Sequence, residues 1–201
     1  MERKEHRRRL LELANREGIL RPRDLDPYGI PREYLVRLVG DGLLEHVGRG
    51  LYVLANRPVT EHETLAEACK CVPQGVVCLV SALRFHEMTT QSPSRVWMAI
   101  GERAWKPRIA YPPLNFVRFS GEALSAGVEE HRVGGVTLRV YDAAKTVADC
   151  FKYRNKLGLD VAIEALRDYR RLPKATNDDL WRYAKICRVA NIMRPYMEAL
   201  S

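Results

Sequence analysis

Long apolar runs are missing from this 201-residue chain: no uninterrupted stretch approaches the roughly 18 residues that a membrane-spanning helix needs. The start, Met-Glu-Arg-Lys-Glu-His-Arg-Arg-Arg, also lacks the apolar segment of a secretory signal, so a cytoplasmic chain without a membrane partner is expected. Cysteine is scarce and unpaired in pattern. Cys69, Cys71, Cys78, Cys150 and Cys187 are an odd set scattered along a chain long enough to fold without staples, so free thiols are expected. Cys69-x-Cys71, even with Cys78 and His62 nearby, lacks the usual gap and the second pair of a zinc site. There is no P-loop and no Gly-x-Gly-x-x-Gly, Gly-x-Ser-x-Gly or His-Glu-x-x-His string, which removes the common phosphate, hydride, acyl-transfer and zinc-protease motifs. Asp24-x-Asp26 beside Pro27 reads as turn and cap chemistry, and Ser81, Ser92, Ser94, His62, His86 and His131 form no recognisable nucleophile-and-base arrangement. No catalytic residue, cofactor or metal is therefore expected, and the chain is read as non-enzymatic.

What the chain does have is positive charge. Lys and Arg number 33 against 25 Asp and Glu, a formal +8, which favours a polyanionic partner. Residues 1–55 contribute +2 and residues 56–201 contribute +6, so the binding surface need not be confined to the front of the chain. A composition 46% apolar and 29% charged is that of a folded chain with a sizeable core. The length suits one large domain or, preferably, two small ones.

The first part has an ordered pattern. Leu10, Leu11, Leu13 and Ala14 mark an amphipathic helix from Arg3 to Glu17, Arg-rich at its start and closed by Gly18. RPRDLDPYG allows only a short helix and a turn before Pro27 and Gly29. Pro31 opens a third helix with Tyr34, Leu35, Leu38 and Val39 on its apolar side and Gly42 at its end. LLEHV and LYVLA, separated by Gly48-Arg49-Gly50, read as a tight hairpin. Three helices followed by a hairpin is the order of a winged helix-turn-helix, whose third helix enters the major groove of DNA.

On that third helix the polar side carries Arg32, Glu33, Val36 and Arg37. Arg can pair with guanine, Glu can accept from cytosine, and Val can meet a thymine methyl. Arg7 and Arg8 of the first helix are further candidate phosphate contacts. Arg49, at the hairpin tip, is either a minor-groove arginine or an exposed turn residue.

Around Asn56, Arg57 and Pro58 the pattern stops, which divides the chain into a winged helix-turn-helix domain (1–56) and a second domain (57–201). The second part alternates strand and helix signals: VVCLV (76–80), SALRFHEM (81–88, helical), RVWMAI (95–100), NFVRF (115–119), VEEHRV (128–133) and VTLRVY (136–141). A sheet of about four or five strands, mostly antiparallel, is expected. Asp142 caps a helix with Lys145, Asp149 and Lys152 on its polar face. Helices follow after Gly158, from a cap at Asn177, and from Pro195. The fold class is thus α+β: a winged helix-turn-helix, then a mixed α+β domain with C-terminal helices. The segment GERAWKPRIAYPPLN (101–115) sets Arg103, Lys106 and Arg108 among Trp105, Tyr111 and prolines. It reads either as a phosphate-gripping loop or as a Pro-stiffened loop whose Trp folds back on the sheet.

DGLLEHVGRGLYVLA at the front, with VVCLVSALRFHEMT, YDAAKTVADCFKYRNKLGLDVAIEALRDY and RVANIMRPYMEAL further on, resembles the AbiEi antitoxins of abortive-infection, type IV toxin-antitoxin systems. The resemblance implies a winged helix that binds inverted repeats of double-stranded DNA in its own promoter. It also implies a C-terminal domain that counters a nucleotidyltransferase-like toxin, without requiring a stable complex. By position, Arg32, Arg37 and Arg49 fall on the DNA-reading helix and wing. Lys145, Asp149 and Lys152 fall on the outer face of the helix bearing KTVADC, making them, with Arg103, Lys106 and Arg108, a candidate antitoxin or phosphate-contact surface. Two other readings stand beside this one: a winged-helix regulator with a ligand-sensing second domain, and a nucleic-acid-processing enzyme.

Overall fold

Leu10, Leu13 and Ala14 fall on one side of α1 (Glu2–Glu17), and burying that side is what fixes the first unit. The description is of a computed structural model and covers residues 2–58 and 60–200. After α1 come a 3-10 helix (Pro22–Tyr28), α2 (Glu33–Gly40), and strands β1 (Leu44–Gly48) and β2 (Leu51–Leu54). β1 and β2 pair antiparallel, and Leu20 adds a bridge to Tyr52. The core collects Leu10, Leu13, Leu20, Leu25, Leu35, Leu38 and Leu44, each worth about 1.5–3 kcal/mol of burial. His6 of α1 meets Tyr34 of α2 edge to face, with ring centroids 5.3 Å apart. This is the winged helix-turn-helix order read from the sequence, with α2 starting at Glu33.

Contacts extend the first unit to residues 1–73, 108–112 and 131–138, so α3 (Glu63–Cys71) belongs with the winged helix. The second unit comprises residues 74–107, 113–130 and 139–201. Its elements are β3 (Val76–Val77), α4 (Leu79–Phe85), β4 (Val96–Gly101), β5 (Leu114–Phe119), α5 (Glu122–Ser125), β6 (Val128–Val133) and β7 (Val136–Tyr141), the last two reaching into residues counted with the first unit. Then follow α6 (Ala143–Lys152), α7 (Arg154–Leu157), α8 (Leu159–Arg171), α9 (Asn177–Ile186) and α10 (Ala190–Ala199).

The five strands make one mixed sheet in the order β5-β4-β3-β7-β6. β3 is antiparallel to β4 but parallel to β7, and β4 is parallel to β5. Consecutive parallel neighbours cannot be joined by a tight turn, so the segment 102–113 has to cross back along the strands.

Three local expectations are corrected. VVCLV is a strand only at Val76–Val77. The apolar run turns at Leu79, with φ of 49°, and continues as α4, because a short apolar run does not distinguish a buried strand from a buried helix. Thr176, not Asn177, caps α9, its hydroxyl accepting from the Asp179 amide at 3.1 Å. Pro195 lies inside α10 rather than opening it.

The largest correction concerns α6. Lys145 and Asp149 share a face, as their spacing requires, but that face is interior: both are 0% exposed. α6 packs against α4, α8 and α9 and is buried from Ala144 through Phe151. The Lys145 ammonium donates to both Asp149 oxygens at 2.8 and 2.7 Å and lies 4.0 Å from the Tyr141 ring centroid. Cys187 Sγ donates to the same carboxylate at 3.3 Å. Burial pushes the Asp149 carboxyl up from its ordinary value, and the Lys145 charge opposes the shift. The pair neutralises itself inside the core, so the outer-face placement read from the sequence does not hold. Lys152, on the same helix, is exposed, with its ammonium 5.3 Å from the Phe119 ring centroid.

Candidate nucleic-acid interface

α2 is short, and its inward side chains set what faces out. Tyr34, Leu35 and Leu38 are buried, which turns Glu33, Val36 and Arg37 to solvent. Val36 is 66% exposed, an apolar side chain on the same outward face as the charged ones. The charges around it are already engaged with one another. Arg32 forks onto Asp26 at 2.9 and 3.1 Å, and Arg37 pairs with Glu33 at 3.0 Å while its guanidinium lies 5.1 Å from the Tyr34 ring centroid. Arg8 is likewise held by Glu5 and Glu12. These pairs are exposed and screened by solvent, so a phosphate or a base edge can displace them.

Beside α2 runs a groove of about 340 Å³ lined by Arg3, Lys4, Arg7, Tyr34, Arg37 and Asp41. Among the described residues, Arg3, Lys4 and Arg7 have no ion pair, so this groove carries uncompensated positive charge. Arg3 and Lys4 were not singled out from the sequence. The signal was there: Arg3 and Arg7 stand four apart on one helix face.

The wing is built around two glycines with different reasons. Gly50 takes φ of +72°, which closes the turn and which a side chain resists. Gly48 has ordinary φ, but a Cβ there would overlap the ring of Tyr111. The Gly50 amide donates to His46 Nε2 at 3.3 Å, and the His46 ring lies 4.9 Å from that of Tyr52. Arg49 is left exposed at the tip and, among the described residues, has no acidic partner.

The segment 101–115 answers one of the two readings given to it. Trp105 is 80% exposed, so its indole does not fold back on the sheet. Arg103, Lys106 and Arg108 are exposed too, with the Lys106 ammonium 5.8 Å from the Phe116 ring centroid. Arg118 fastens the start of the segment by donating to the carbonyls of Gly101 and Ala104 at 3.1 and 3.0 Å. Arg108 lines an open concavity with Arg49, which their separation of 59 positions in the chain concealed.

In the second unit a cleft of about 250 Å³ is lined by Glu129, Asp142, Tyr169, Lys174, Asp179 and Arg182. Among the described residues no cluster of three or more His, Cys, Asp or Glu could hold a metal ion. No described helix is long and apolar enough to cross a membrane.

The chain is similar in fold to the solved RV2827C protein from Mycobacterium tuberculosis, with a TM-score of 0.54, 13% identity, 97% of this chain covered and 80% of that one. At that identity the likeness concerns the fold alone. No curated protein matches the sequence. A family model described as a transcriptional regulator, AbiEi antitoxin, matches residues 8–55, from within α1 to the end of the wing. Over residues 8–55 the chain is thus similar to the AbiEi antitoxin transcriptional regulators.

Proposed function

We propose that the chain is a sequence-specific DNA-binding repressor of its own operon and the antitoxin of a type IV pair, acting in the cytoplasm against a nucleotidyltransferase-like toxin. DNA recognition is assigned to residues 1–56 and antitoxin action to residues 57–201. The observation that carries the DNA reading is the outward face of α2. Exposed Val36 shares the outward face of α2 with Glu33 and Arg37, beside a groove whose Arg3, Lys4 and Arg7 lack acidic partners among the described residues. In this reading α2 lies in the major groove, with Val36 against a thymine methyl, Arg32 and Arg37 at guanines or phosphates, and Glu33 toward cytosine. Arg7 and Arg8 approach the flanking backbone, and Arg49 the minor groove. Two copies occupy an inverted repeat.

Binding to a labelled duplex from the region upstream of its own gene tests the first half. Arg37→Ala should weaken specific binding by about 1–3 kcal/mol. Equal affinity of Arg37→Ala and the parent for that duplex would remove α2 as the reader. Co-expression with a nucleotidyltransferase-like toxin encoded beside it tests the second half, provided that such a gene is found there: growth should be rescued by the chain, and toxicity that persists in its presence would refute the antitoxin role.

A further inference from the structure

Arg49 and Arg108 line the same open concavity of about 500 Å³ together with Ile109 and Ala110, and no carboxylate lies in its wall. We propose that these two arginines form one composite phosphate clasp for duplex DNA, and that Tyr111 is the residue that positions it. The proposal rests on the DNA-binding reading of the wing and deepens it: the wing becomes a two-part structure, half hairpin and half crossover segment.

Three observations converge on it. Like charges held near one another on a surface repel, and surfaces usually relieve this with an acidic neighbour. Arg32, Arg37 and Arg8 are relieved in that way, whereas Arg49 and Arg108 have no ion pair among the described residues. The free protein thus keeps two unneutralised guanidinium groups around one concavity, where an anion would satisfy both. The other two lining residues, Ile109 and Ala110, carry no charge that would compete with a phosphodiester for the guanidinium groups. A polyanionic duplex gains further from releasing its condensed counterions, which a free small anion cannot do.

Tyr111 explains how residues so distant in sequence stay together. Its ring covers Gly48 so closely that no larger residue fits there, and its hydroxyl is turned to the buried carboxyl of Glu67 on α3. Burial pushes the Glu67 carboxyl up from its ordinary value, Tyr111 opposes that shift, and Oε2 has no partner. Gly48, one residue before Arg49, and Tyr111, three after Arg108, are thus held against one another. Tyr111 touches no DNA in this arrangement and acts only through the two arginines.

The full-length chain is titrated with a labelled mixed-sequence duplex at several salt concentrations, because phosphate contacts need no base sequence. Arg49→Ala and Arg108→Ala should each lower the salt slope by about 0.9, the value for one phosphate contact, with both exposed enough to leave folding intact. Tyr111→Ala should weaken binding when Arg108 is present and have no further effect in Arg108→Ala. A Tyr111→Ala loss of equal size in both backgrounds would overturn the positioning role, and Tyr111→Phe, which keeps the ring over Gly48, should retain most of the affinity. If Arg108→Ala leaves the slope unchanged while Arg37→Ala and Arg49→Ala reduce it, the clasp is refuted and the α2 reading stands. If none of the three changes the slope, the α2 reading falls with it. Arg108-dependent binding of inorganic phosphate, or of single-stranded RNA, with an unchanged duplex slope would overturn the assignment to duplex DNA.

Discussion

A single buried charge pair accounts for the sharpest misplacement in the sequence reading. Lys145 and Asp149 stand four apart with opposite signs, which on an isolated helix describes an exposed pair as well as it describes an internal one. Their environment decides the energetics. Losing one partner inside a core leaves an uncompensated charge, so Lys145→Met or Asp149→Leu alone should cost about 3–5 kcal/mol in denaturant unfolding. The double variant should recover most of that loss. A single variant that unfolds like the parent would show that the pair is not shielded from water.

Thiol chemistry belongs to the same scale. Cys78, Cys150 and Cys187 are buried, and burial pushes all three up, Cys187 to about 12. Thiolate is the reactive form, so alkylation at neutral pH should be slow in the native chain and reach all five cysteines only on unfolding. Rapid native labelling of Cys187 would contradict its burial beside Asp149.

Among the elements, the wing and the 3-10 helix have sequence-encoded reasons that can be probed separately. Gly50→Ala forces a side chain into φ of +72°, at a cost of about 1 kcal/mol or more. Gly48→Ala instead displaces Tyr111, so it should impair duplex binding more than its effect on stability implies. The 3-10 helix is tied down by Asp24, which accepts from the Arg21 amide at 3.0 Å and from its guanidinium at 2.9 Å, with Lys70 at 3.2 Å. Burial raises the Asp24 carboxyl, but Arg21 and Lys70 outweigh it and hold the group below its ordinary 3.8. A carboxylate whose folded pKa is depressed stabilises the fold above the unfolded value and loses that contribution as pH falls through the folded one. The stability gap between the parent and Asp24→Asn should therefore be full at neutral pH and close below about pH 3.8. A gap that persists undiminished at strongly acid pH would show that Asp24 acts through packing alone.

At the scale of the whole molecule, the contact unit that contains the winged helix also contains Glu67, Tyr111 and residues 131–138. A fragment ending at residue 56 lacks all of these, so it should unfold at lower denaturant than the same elements in the full chain and bind duplex with a weaker salt dependence. Equal midpoints by circular dichroism would mean that residues 1–56 are self-sufficient.

The amino-acid pattern alone was enough for α1, α2, the hairpin and the α+β class, because each rests on local causes: apolar residues at helical or alternating spacing, a proline at a helix start, glycines at a turn. It was also enough to find the outward Arg32, Glu33, Val36 and Arg37, since burying one face of a helix automatically exposes the other. Tertiary packing decided the rest. Whether VVCLV stays extended depends on what surrounds it, and whether Lys145 meets water depends on three other helices closing over α6. That Arg49 and Arg108 share one concavity depends on a crossover that parallel strands β4 and β5 impose. Contacts between residues far apart in the chain leave no periodicity in the sequence, and only the folded chain brings them into view.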